Sequence, residues 1–100
     1  MGLVEKGLFK EHYTLVSDIV RVFIGRKNGF DAMEMTTREV LSLLSPRLTL
    51  GQSIAPARDF LEDCDLVKFS KYVPGFDEAG KIIPRARKIV DGSAWSGNVL

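Results

Sequence analysis

Between Leu8 and Ile24 the chain carries an apolar pattern that only a helix gathers onto one side. Phe9, Tyr13, Val16, Val20 and Phe23 recur at intervals of 4, 3, 4 and 3 residues, the repeat of a helical face. Leu8, His12, Leu15, Ile19 and Val22 widen that face. At about 100° per residue the band covers roughly 200° of the circumference, twice the usual stripe of about 100°. Lys10, Thr14, Ser17, Asp18 and Arg21 are left for the remaining arc. The pattern predicts a central helix packed on two sides, and the same band would also allow a dimer. Arg26 and Lys27 suit the negative end of the helix dipole, and Asn28-Gly29 stops the helix.

The elements that follow are shorter. Met33 and Met35 alternate with Ala32 and Glu34, which predicts a short extended piece over 30–35. Thr36 and Glu39 have the spacing of a capping box. They open a second helix with Val40, Leu41, Leu43 and Leu44 inward, and Pro46 ends it. After the connector of residues 45–52, Ser53 reads as the N-cap of a third helix over 53–64. Ile54, Ala57, Phe60, Leu61 and Cys64 form its apolar face.

Residues 65–72 alternate again. Read as a closing strand, they turn Val67 and Phe69 to the core, beside Met33 and Met35, and Lys68 and Ser70 outward. Asp65, an acid ill-suited to a helix C-terminus, is expected to pair with a nearby lysine. A last helix spans about 76–90, with Ile83, Ala86, Ile89 and Val90 inward. A kink or late start is expected there, because the Pro84 ring clashes with the carbonyl of Gly80. Residues 91–100 show no periodicity and are expected to be a mobile tail.

These elements predict one mainly α, winged-helix-like domain over residues 1–90. It is a bundle of about four helices with at most a short two-stranded ribbon. One hundred residues make a single domain. Fourteen basic and thirteen acidic residues leave a net charge of +1. That balance disfavours a polyanion as main partner. No apolar run reaches the ~18 residues that span a bilayer, and the first ten residues lack the core of a signal peptide. The single Cys64 rules out an internal disulfide and suits a reducing compartment.

Nothing in the pattern calls for catalysis. His12, the only histidine, sits in the apolar band, and Cys64 on an apolar helix face, where a free cysteine acts as a small hydrophobe. Asp59, Glu62, Asp63 and Asp65 lack the spacing of a calcium loop. They read as a solvated face. No metal or cofactor is expected. Their acidity also argues against DNA, because the third helix stands where a recognition helix would meet phosphates. A nucleic-acid-binding winged helix is therefore the alternative reading, not the leading one. On the last helix Lys81, Arg85 and Lys88 share one face, with Arg87 nearby. That strip suits an acidic protein partner or anionic lipid, or the acidic patch of the third helix itself. Tyr72, Phe76 and Trp95 are expected to be exposed aromatics, Trp95 in contact with a partner.

Three blocks carry a family resemblance: "EHYTLVSDIVRVFI" at 11–24, "EMTTREVLSLL" at 34–44 and "FLEDCDLVKFSKYVP" at 60–74. Through Tyr13, Ser17, Asp18, Thr36, Thr37, Glu39, the run Asp65 to Lys71 and Pro74, the chain resembles the cytoplasmic C-terminal domain of BatD-like, aerotolerance-related bacterial membrane proteins and their uncharacterised relatives. The resemblance covers about residues 8–90, and the third block is its most specific part.

The resemblance implies a non-enzymatic protein–protein interaction domain tethered at the cytoplasmic side of the inner membrane. It also implies MoxR-type AAA+ ATPases and von Willebrand A-domain proteins as partners. This chain carries no membrane helix of its own, and so reads either as an excised domain or as a free-standing relative. The residues expected to bind a partner are Lys68, Lys71, Lys81, Arg85, Lys88 and Trp95.

Overall fold

Phe9 to Asn28 form one twenty-residue helix, α1. The computed structural model describes residues 8–95. Helix α1 ends as expected at Gly29, whose φ of 81° lies in the left-handed region that glycine enters without a steric cost. The chain then turns back on α1 so closely that Phe30 donates its N–H to the Gly25 carbonyl at 2.9 Å. Residues 30–35 make this turn and are not the extended piece expected from the methionine alternation. Ala32 is buried, while Met33 is exposed.

Helix α2, Thr37–Leu44, starts with the expected capping box. The Thr36 side chain accepts from the Glu39 N–H, and the Glu39 carboxylate accepts from the Thr36 N–H. A 3₁₀ turn, Ser45–Arg47, carries Pro46 past its end. Helix α3 runs from Ala55 to Phe69, shifted from the expected 53–64 at both ends. Ser53 does not cap it, although its hydroxyl accepts from the Ala55 N–H at 3.2 Å.

The expected closing strand is therefore the last turns of α3. Its alternation gives way to helical spacing: Ala57, Phe60, Leu61, Cys64 and Val67 make one buried stripe. Two residues apart on a helix is about 200°, so Val67 is buried and Phe69 is 77% exposed. Among the described residues there is no strand, and helix accounts for 69% of them.

The last helix breaks where expected. Helix α4, Phe76–Gly80, ends at Lys81, and α5 spans Ile82–Asp91. The break falls between Gly80 and Pro84, where the proline ring bars an unbroken ladder. Residues expected in a mobile tail are instead placed: Asp91 closes α5, and Trp95 packs against the core. Residues 96–100 lie outside the described residues.

The core gathers Tyr13, Val20 and Ile24 of α1 with Phe60, Leu61 and Cys64 of α3, and Ile82 and Ile89 of α5. Fully burying one such aliphatic or aromatic side chain is worth about 1.5–3 kcal/mol. Helix α1 packs on α3 and α5, but its buried face is rotated from the expected one. Ser17 and Arg21 go inward, whereas Leu15 and Ile19 are 54% and 57% exposed. The molecule has a Cα extent of only 19 Å across its thinnest direction, about two helices at their usual spacing of 8–10 Å. Among the described residues, the side of α1 that carries Leu15 and Ile19 has no helix laid over it.

Candidate functional site

Two ends of α1 collect different chemistry. At its N-terminal end Lys10 reaches the C-terminus of α3. Its ammonium donates to the carbonyls of Val67 and Ser70 at 2.9 and 3.0 Å, groups that the end of a helix leaves without internal partners. Phe9 meets Phe76 edge to face, with ring centroids 6.2 Å apart. These contacts bring the end of α3, residues 70–75 and the start of α4 to one tip.

The tip is apolar and unusually open. Phe69, Val73 and Phe76 are 77%, 70% and 69% exposed, and Leu66 and Tyr72 are about half exposed. Lys71 is exposed among them, and Lys68 is half-buried. The Lys68 ammonium lies 5.2 Å from the Phe69 ring centroid and donates to the Ser17 hydroxyl at 3.4 Å. Tyr72 donates its hydroxyl to Glu78. This bond raises the phenol above its ordinary pKa, since it is made by the protonated form. The loop between α3 and α4 is thereby braced on both sides, by Ser70 donating to the Leu66 carbonyl and by Tyr72 reaching α4.

The other end of α1 is closed by Trp95. Its indole N–H donates to the Ile89 carbonyl at 2.9 Å, and its own carbonyl accepts from the Ser53 N–H at 3.1 Å. Leu44, Leu48, Ile24 and Ile89 line the same pocket. Trp95 is half-buried and held within the fold, not presented on a free tail.

The six residues expected to bind a partner are thus not one surface. Lys68 and Lys71 sit at the tip. Trp95 sits at the far end of α1, a helix of about 30 Å at 1.5 Å per residue. Lys81 caps α5 and Lys88 lies near its last turn, both exposed. Arg85 pairs with Asp63 of α3 at 3.0 Å and lies 5.8 Å from the Phe60 ring centroid. This pair joins the basic strip to the acidic patch within the molecule. Among the described residues Asp65 pairs with no lysine; it accepts the Thr37 hydroxyl at 2.7 Å and ties α3 to α2.

Tyr72 and Phe76 are exposed as expected, whereas the exposure of Phe69 and Val73 was not expected from the sequence. The signal available for Phe69 was the continuation of the apolar spacing from Cys64 to Val67, which places residue 69 off the stripe.

The histidine and the cysteine are both turned inward. His12 is buried edge to face against Tyr13, and burial lowers its pKa below the ordinary 6.5. Burial pushes the Cys64 thiol up to about 12, far from the range of a reactive thiolate. Among the described residues no three His, Cys, Asp or Glu side chains gather as a metal site would need. No helix among them is long and apolar enough to cross a membrane. Compared with family models, with curated proteins and with solved structures, the chain matches none.

Proposed function

We propose that this chain is a non-enzymatic protein–protein interaction domain, and that it takes its partner at the tip formed by α3, α4 and the loop between them. The observation that carries this reading is the exposed group Phe69, Tyr72, Val73 and Phe76 with Lys71 in its midst. Contiguous apolar surface ringed by charge is the mark of an interaction site, and aromatic side chains anchor such contacts. The fitting partner offers an apolar groove with an acidic rim.

The BatD-like resemblance supplies the partner class: a MoxR-type AAA+ ATPase or a von Willebrand A-domain protein, met at the cytoplasmic face of the inner membrane. The winged-helix likeness belongs to the same proposal and concerns only the layout of α1, α2 and α3. The inward setting of His12 and Cys64 supports the non-enzymatic part.

The test is capture of a co-encoded ATPase or A-domain protein by the whole chain. Phe69→Ser and Val73→Ser should each weaken capture by about tenfold or more, as for hot-spot residues. The melting temperature should hold, because neither side chain is buried. Charge reversal at Lys71 should weaken capture, and reversal at Lys88 should not. Arg85 is unsuitable for reversal, since it would set a second acid against Asp63. Unchanged capture by the Phe69 and Val73 variants rejects the tip. Tight, salt-dependent binding of duplex DNA would favour the nucleic-acid reading, against which stands the exposed acidity of Asp59 and Glu62 on α3.

A further inference from the structure

We infer that the uncovered side of α1 is a self-association surface, on which two copies of this chain pack with their α1 helices antiparallel. Opposite the buried stripe, Glu11, Leu15, Val22 and Arg26 follow one another at spacings of 4, 7 and 4. They fall within roughly 60° of one another at about 100° per residue. Leu15 and Ile19 are more than half exposed on adjacent turns. Ile19, Val22 and Phe23 join Met33 of the following turn to line a shallow open groove.

The face is complementary to itself. Its N-terminal half carries a projecting side chain, Leu15, and its C-terminal half carries the groove. A two-fold axis passing between residues 18 and 19 lays Leu15 of each copy over Val22 of the other. The same rotation brings Glu11 of each copy to Arg26 of the other. A parallel arrangement would set Glu11 against Glu11, Arg26 against Arg26, and groove against groove. Shape and charge therefore select the antiparallel, closed pair, the isologous contact that is commonest among homodimers. Neither Glu11 nor Arg26 has an ion pair among the described residues, so both are available. One feature opposes the pair: Asp18, on the groove rim, comes near its own counterpart at the axis.

This surface lies along the flank of α1, and its test does not involve the tip. Sedimentation equilibrium of the whole chain at low ionic strength should show a concentration-dependent monomer–dimer equilibrium. Glu11→Arg alone and Arg26→Glu alone should each weaken the dimer by about tenfold, an effect of about 1.4 kcal/mol. The combined charge swap should bring it back near the original. Ile19→Lys should abolish it with the helical circular dichroism unchanged, and Asp18→Asn should tighten it. A chain that stays monomeric at every concentration overturns the inference. So does a charge swap no stronger than its single variants, which an antiparallel contact forbids.

Discussion

The Arg21 guanidinium donates to the Ala32 carbonyl at 2.8 Å, with both residues buried. One charged side chain on α1 thus holds the turn leading to α2. Removing it would take the charged donor from the Ala32 carbonyl, which keeps only the Met35 N–H at 3.1 Å, and would empty the space of the side chain. Arg21→Met should therefore lose about 1.5–3 kcal/mol, the range for hydrogen bonds to charged groups. Urea unfolding followed by circular dichroism measures this; a loss under half a kilocalorie would mean that the bond is replaced by water.

Gly25 sits beneath the same turn. A Cβ there would lie 2.3 Å from the Phe30 backbone oxygen, closer than any real contact. The neighbour is backbone and cannot swing aside, so Gly25→Ala should cost about 1–3 kcal/mol, as overpacking does. The melting temperature should fall by about 4–8 °C for each kcal/mol in a domain of this size.

Tyr13 is 1% exposed, and its hydroxyl finds no hydrogen-bond partner among the described residues. Deleting that oxygen removes a desolvated group and leaves the ring. Tyr13→Phe should be neutral or stabilising by up to about 1 kcal/mol, whereas Tyr13→Ala should lose about 3–5 kcal/mol. Thermal unfolding of the two variants side by side separates the ring from the hydroxyl.

Burial raises the Cys64 thiol from 9.0 and the Tyr13 phenol from 10.0, each to about 12. The folded state thus favours both neutral forms. That advantage is complete below the unfolded pKa values and is lost as pH climbs towards the folded ones. Urea midpoints should stay level up to about pH 9 and then fall, less steeply for Tyr13→Phe. At neutral pH iodoacetamide should modify Cys64 only as fast as the chain unfolds.

The parts of this fold legible in the sequence are those fixed by near neighbours. Thr36 and Glu39 cap each other over three residues, Asn28-Gly29 ends α1, and the Pro84 ring acts on Gly80. Each is settled within one turn of chain. The end of α3 was harder, because Asp65 to Tyr72 alternates like a strand while Val67 also continues the helical stripe from Cys64. Burial decided it, since a helix covers Val67 and leaves Phe69 to solvent.

The rotation of α1 was not legible. A band of roughly 200° tells how much of a helix is apolar, not which half its neighbours cover. Arg21 is turned inward to the Ala32 carbonyl, and Leu15 and Ile19 are turned outward, a choice set by contacts eleven residues away. The tip was half legible: Tyr72 and Phe76 flank a proline and a glycine in a loop, but Phe69 required the helix boundary. The burial of Trp95 is not legible in the sequence, because its partners, Ile89, Ser53 and Leu44, come from three separate segments.

Trp95 is also the chain's only tryptophan, and it is anchored to Ile89 at the end of α1 remote from Phe69 and Phe76. Its fluorescence is therefore a single, located signal. An emission shift to the red reports the opening of the pocket between α1 and α5. A partner seated on the aromatic tip should leave that emission unchanged, so one spectrum tells binding from loosening.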